Sequence, residues 1–277
     1  MESRFRNLSQ VYENLRDIQQ KERQAHQRWT ETQGLVRFWE ALDSHLQNGR
    51  PAAALLVLSE EYPRVLETSA FDQVWSRLID ETRLECEEAA TQTMKGFART
   101  FPDAVRESNI EIDSTSRHPR YTVYQGFIQI DVNDRAYTVT ITPRDGAMIK
   151  LGLDVAPIVE RLKEEIDRLF NRRFEPTTFL RTLFRAYSSV IRAERRQDGD
   201  QVPIRRVTNR LSKNLNRFSP DEFNVDLAKL LRTSESEING RVMRLNHTRH
   251  PRQGMLLQGL EEGGYIGFIS FNKENRE

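Results

Sequence analysis

The sequence predicts an α+β fold that is mostly helical, and three observations carry that expectation. Apolar residues recur at three- and four-residue intervals through the first hundred positions. The period shortens to two between about residues 121 and 151, and helical spacing then returns before a short apolar hairpin closes the chain.

The N-terminal part is expected to be a helical hairpin, a domain spanning residues 1–108. Positions Leu8, Tyr12, Leu15, Ile18, Glu22, Ala25, Trp29, Thr32, Val36, Trp39 and Leu46 form a heptad-like seam. Glu22 and Thr32 interrupt it, so a helix packed on a neighbour is expected rather than a self-sufficient coiled coil. Gly49-Arg50-Pro51 joins a helix stop to a residue suited to starting the next helix. Ala52 to Glu61 forms a short apolar helix, Pro63 punctuates, and Phe71 to Phe97 supplies a third helix through Trp75, Ile79, Cys86, Ala90 and Met94. These stripes read chiefly as core, with any exposed part of the long helix left to bind a partner protein.

Residues 109–175 are expected to form a small antiparallel β-meander with a covering helix. Tyr121 to Val132, Tyr137 to Ile141 and Met148 to Leu151 read as three strands, separated by Asn133-Asp134 and by Pro143-Arg144-Asp145-Gly146. Residues 109–113 suit an edge strand and Ser114 to Pro119 a loop. Ala156 to Phe170, apolar along Ile158, Val159, Leu162, Ile166 and Leu169, suits a helix lying over the sheet.

Residues 176–277 form the third expected module. Phe179 to Arg196, Pro203 to Leu215 and Ser219 to Arg232 read as helices, and Arg241 to Asn246 is expected to pair with Tyr265 to Phe271. Ser219-Pro220-Asp221-Glu222 has the pattern of a capping box, and Asp221, Glu222 and Asp226 are expected on the exposed face of that last helix. This order of elements resembles a winged helix-turn-helix, an architectural analogy that implies docking on nucleic acid or on a protein. It identifies no particular family.

Charge is nearly balanced at +1 but unevenly placed. The first hundred residues carry 13 basic against 16 acidic side chains, whereas Pro203 to Arg217 carries five basic residues and no acid. Arg205, Arg206, Arg210, Lys213 and Arg217, with Arg195 and Arg196, are the expected nucleic-acid-binding residues, supported by Arg181, Arg185 and Arg192. Most of this charge precedes the last helix, a placement suited to phosphate contact rather than to base readout.

No chemistry is expected. Asp131, Asp134, Asp145 and Asp154 surround the meander with Lys150, but the turn positions of Asp134 and Asp145 argue against a shared cation. His247 and His250 lack the further ligands a zinc site needs. There is no phosphate-loop glycine pattern, no nucleophile elbow, and no histidine placed in the helix of Cys86, the single cysteine, to activate it. Catalytic, cofactor and metal sites are therefore expected to be absent. The longest apolar run, Ala52 to Leu58, is too short to span a bilayer, and a cytoplasmic location is expected. The functional expectation is a non-catalytic subunit of a larger assembly, such as one containing an ATPase, whose basic module contacts nucleic-acid backbone and whose N-terminal helices hold a protein. A protein-only adaptor is the alternative.

Overall fold

The computed structural model describes residues 6–67, 74–214, 218–233, 235–259 and 264–273. It is mostly helical, with small antiparallel sheets. The chain groups into two compact units: residues 1–97 with 133–138 and 151–154, and the remainder.

In the first unit, α1 (Arg6–Gln47) stops where Gly49 turns to a φ of +63°, and α2 (Pro51–Glu60) begins on Pro51. A short α3 (Tyr62–Leu66) follows. Leu35, Phe38 and Leu42 of α1 are buried with Ala54 and Leu58 of α2 and Tyr62 of α3. Trp39 meets Trp75 edge to face with ring centres 5.6 Å apart. The expectation of a packed neighbour fails for residues 15–34 of α1: Leu15, Ile18 and Trp29 are exposed, and this stretch is open to solvent apart from a half-buried Glu31.

Asp154 ties this unit together from a distance. Its carboxylate accepts from the backbone N–H of Ala53 at 2.7 Å and of Ala52 at 3.4 Å, satisfying donors in the first turn of α2. Burial pushes its pKa up, and the two backbone bonds only partly oppose that.

The second long helix, α4 (Val74–Glu107), does not end at Phe97 as expected but runs ten residues further, through Pro102. Phe97, Phe101 and Val105 are all fully buried, so the i, i+4 apolar stripe overrides the break a proline usually imposes.

The second unit holds most of the meander: β1 (Arg120–Val123), β2 (Ile128–Asn133), β3 (Thr138–Pro143) and β4 (Ile149–Gly152), in the order β1-β2-β3-β4. The single first strand expected from Tyr121 to Val132 is split in two. Tyr124, Gln125 and Gly126 all take positive φ, and Asp113 stabilises the turn by accepting from the N–H groups of Gln125 and Gly126. The edge strand expected at 109–113 reduces to one bridge, Ile112 to Val123.

After β4 comes α5 (Val155–Ile166), continued by a π-helical turn at Asp167–Asn171. Phe170 of that turn stacks on Tyr124, rings 4.2 Å apart and nearly parallel, and meets Phe127 edge to face. The C-terminal part runs α6 (Pro176–Ala193), β5 (Val202–Pro203), α7 (Ile204–Asn214), α8 (Pro220–Leu231), β6 (Glu237–Ile238), β7 (Arg241–Thr248) and β8 (Tyr265–Lys273). The expected pairing of β7 with β8 is present, and β5 closes on the other edge of β8, giving the order β5-β8-β7-β6. One core gathers these helices and strands around Tyr187, Leu227, Ile269 and Phe271.

Candidate nucleic-acid interface

Neither α6 nor α7 contains an aspartate or glutamate, in a chain with 41 of them. Both helices bury one apolar stripe, Leu180, Leu183, Tyr187 and Val190 on α6 and Ile204, Val207 and Leu211 on α7. Their arginines other than Arg205 are thereby turned outward, and two contacts fix how the helices align. Arg210 donates through Nε to Ser189 Oγ at 2.8 Å, and Arg206 Nη1 lies 3.1 Å from Glu194 Oε1, just past the end of α6. Partners on α6 run backward as α7 runs forward, so the helices are antiparallel.

Helical spacing extends that seam. Arg185 and Arg192 stand four and three residues from Ser189, and Arg206 and Lys213 stand four and three from Arg210, so each pair lies on the side of its helix that carries the Arg210–Ser189 contact, and all four are exposed. Arg181 continues the row one turn further along α6. Glu194 is the acid at its end, held also by Arg196 at 2.6 Å. Arg195 is exposed with a φ of +52°.

Arg205 does not join this surface. It turns the other way, 3.3 Å from Asp145 in the β3–β4 turn, and donates to the carbonyl of Gly254 at 2.9 Å. Asn224 of α8 also reaches Asp145 at 3.3 Å and donates to the Leu256 carbonyl at 2.9 Å. Arg217 lies outside the described residues.

The expected exposed acids of α8 are corrected. Asp221 and Asp226 are buried, at 1% and 7% exposure, because arginines fifty residues upstream cover them. Arg168 in the π turn donates to Asp221, to Glu222 at 2.9 Å and to Glu165 at 2.7 Å, while Arg172 donates to Asp226. Burial alone would raise the Asp221 pKa, but the Arg168 and Ser219 hydrogen bonds outweigh it and hold the carboxyl below its ordinary range. At Asp226 burial wins over Arg172 and the pKa is raised. The capping box does not form either: Ser219 Oγ turns to the Asp221 carboxylate, and Glu222 is committed to Arg168. With Phe223, Asn224, Val225, Leu227, Ala228 and Leu230 also buried, α8 has no free face to lay in a groove.

No family model, no curated protein and no solved structure matches this chain.

The other residues singled out by sequence are dispersed. Asp131 pairs with Arg120 at 2.7 Å on the exposed edge of β1–β2, Asp145 serves Arg205 and Asn224, and Asp154 serves the α2 N–H groups. Among the described residues no three His, Cys, Asp or Glu side chains gather as a metal site would require. Cys86 is buried at 3% exposure and its thiol is pushed up, first by burial and then by Glu85, which keeps it protonated. His247 and His250 are exposed. No helix among the described residues is long and apolar enough to cross a membrane. Sequence reading missed Arg168 and Arg172. The available signal was an arginine-rich stretch, Arg168, Arg172 and Arg173, standing against an acid-rich helix start at Asp221 and Glu222.

Proposed function

We propose that the chain is a non-catalytic subunit whose α6–α7 seam binds the phosphate backbone of nucleic acid with little sequence preference. The observation that carries this reading is the acid-free pair of antiparallel helices, with Arg185 and Arg192 exposed on α6 and Arg206 and Lys213 exposed on α7, on either side of the Arg210–Ser189 contact. Rows of cations on regular elements suit the regular spacing of phosphates, and they release condensed counterions on binding. The order α6-β5-α7-α8-β6-β7-β8, with β5 paired to β8, supports a winged-helix-like module. The burial of α8 favours backbone contact by the seam over groove reading by the second helix of the pair.

The test is duplex binding by fluorescence anisotropy across a salt series. Changing Arg206, Arg210 and Lys213 together to alanine should weaken binding equally on unrelated sequences and flatten the salt slope by about 0.9 per lost phosphate contact. An unchanged slope with an intact melting transition overturns the reading. In that event the exposed apolar positions of α1, Leu15, Ile18 and Trp29, favour a protein-only adaptor that engages a partner helix. The same positions supply the protein contact of the proposed assembly.

A further inference from the structure

The C-terminal sheet is left open along one side. β7 pairs with β8 over its whole length, from Arg241 to Thr248. On its other side β6 reaches only Arg241 and Val242, extended by a hydrogen bond from the Met243 N–H to the Ser236 carbonyl at 2.8 Å. Among the described residues no strand lies against 244–248 on that side.

Register decides which backbone groups point into the open side. The Met243 N–H is directed toward β6, so in an antiparallel ladder the groups of Leu245 and His247, two and four residues on, are directed the same way. Ile266, opposite His247, agrees with this: it exchanges both of its backbone bonds with Met255 and so turns away from β7. The irregularity in the ladder falls between Asn246 and His247, but the extra residue is Gly267 on β8, and β7 keeps its alternation. Leu245 and His247 therefore each offer a backbone donor and acceptor with no partner among the described residues, which is a template for one more strand.

Charge and side chains narrow what can pair there. No aspartate or glutamate occurs from residue 239 to 260, a stretch holding Arg241, Arg244, Arg249 and Arg252. Arg241 is ion-paired with Asp198, whereas the other three arginines are exposed. The nearest preceding acids, Glu235 and Glu237, belong to the end that β6 covers. Arg244 stands on the solvent face of the strand, while Met243 and Leu245 turn to the core on the opposite face. A second copy added edge to edge would set these cations against themselves. A phosphate backbone could meet the arginines and the N–H groups, but not the carbonyls between them, which accept only from a donor. A peptide backbone supplies donors and acceptors in alternation.

We infer that the open edge of β7 takes up an extended segment of a partner protein, alternating acidic and apolar residues, as a further strand beside residues 244–248. Its acids lie next to Arg244 on the solvent face, and its apolar residues continue the layer begun by Leu245. The inference uses no residue of the α6–α7 seam and holds whether or not the seam binds nucleic acid.

The experiment titrates the full chain into a short fluorescein-labelled peptide of alternating glutamate and valine, followed by anisotropy, with amide exchange read at Leu245 and His247. The peptide should bind, and at saturation exchange at those two amides should slow by at least about ten-fold as they join a ladder. A copy N-methylated at its valines keeps every charge but lacks the donors that would face β7, and should not bind. Arg244→Glu should weaken binding of the first peptide by at least about ten-fold and leave the melting transition in place. Equal binding of the N-methylated copy marks charge attraction alone and overturns the inference, as does no binding up to about 1 mM peptide. Protection of Leu245 and His247 that rises with protein concentration in the absence of peptide would assign the edge to a second copy. Protection conferred by a DNA duplex and not by the peptide would assign it to nucleic acid. Either result overturns the inference.

Discussion

Arg168 and Asp221 form the pairing on which the burial of α8 depends: a guanidinium one third exposed covers a carboxylate with only 2% of its side chain open. The same guanidinium also satisfies Glu165 and Glu222, which makes it the hub of a network rather than half of a pair. Arg168→Ala is expected to destabilise the protein by about 2–3 kcal/mol, at or below the low end of the usual range for a broken buried pair because the arginine is partly solvated. Urea unfolding measures it. A double-mutant cycle with Asp221→Asn should show strong coupling, and additive effects would mean the contact is incidental.

Asp221 and Asp154 contribute to the pH dependence of stability with opposite signs, and Asp226, whose pKa is also raised, acts in the same sense as Asp154. Asp221 has a folded pKa below its unfolded value of about 3.9, so its contribution is whole above that pH and is lost as pH falls through the lower folded value. Asp154 is the reverse. Its folded pKa is raised, the folded chain takes up its proton first, and stability declines as pH rises from about 4 through the folded value. Unfolding free energies collected between about pH 2.5 and 7 should flatten at the low end in Asp221→Asn and at the upper end in Asp154→Asn. Identical profiles in all three proteins would contradict both assignments.

Adjacent arginines should separate by role. Arg205→Ala removes contacts to Asp145 and Gly254 and should lower the melting temperature without altering the salt slope of any duplex binding. Arg206→Ala, at an exposed position, should do the opposite, flattening the slope by about 0.9 with stability unchanged within about 0.5 kcal/mol.

On α1 the contrast is between exposed and buried aromatics. Phe38→Ala, at a fully buried position, is expected to cost about 3–5 kcal/mol. Trp29→Ala, 61% exposed, should leave the unfolding midpoint where it was. A large loss in the Trp29 variant would show that this stretch is packed in solution.

Gly152 admits no side chain. A Cβ there would stand 2.2 Å from the amide nitrogen of Ala53 and 2.4 Å from the carbonyl carbon of Ala52, both backbone atoms of the α2 start. Gly152→Ala should destabilise by at least the ~1–3 kcal/mol typical of overpacking. It should also disturb the Asp154 bonds two residues on, visible as faster amide exchange at Ala52 and Ala53.

The elements that local pattern governs were readable from sequence. The α1 stop at Gly49, the meander turn at Asp145-Gly146 and the β7–β8 pairing each follow from nearby residues with a definite backbone preference. What was not readable depends on partners far along the chain. Pro102 and the acids of α8 gave the locally correct signals, a helix break and a solvated face, and both were overridden by packing or pairing set elsewhere. Tyr124 and Gln125 gave no sign of positive φ, since the carboxylate that holds their turn belongs to Asp113. At the candidate interface, the exposed arginines were foreseeable from composition. The inward turn of Arg205 was not, because neighbouring helical residues differ only in which way they face.

The β3–β4 turn looks from its Asp-Gly pair like an ordinary hairpin tip, the usual place to insert an epitope or attach a dye. Its engagement by Arg205 and Asn224, with Gly146 pressed against Asp221, makes it instead a poor choice for any such graft. At the Asn239-Gly240 tip between β6 and β7 both residues take the left-handed backbone, and none of the described residues comes within 4 Å of where a Gly240 side chain would begin. A reporter placed there would leave the contacts of Arg205, Asn224 and Asp145 untouched.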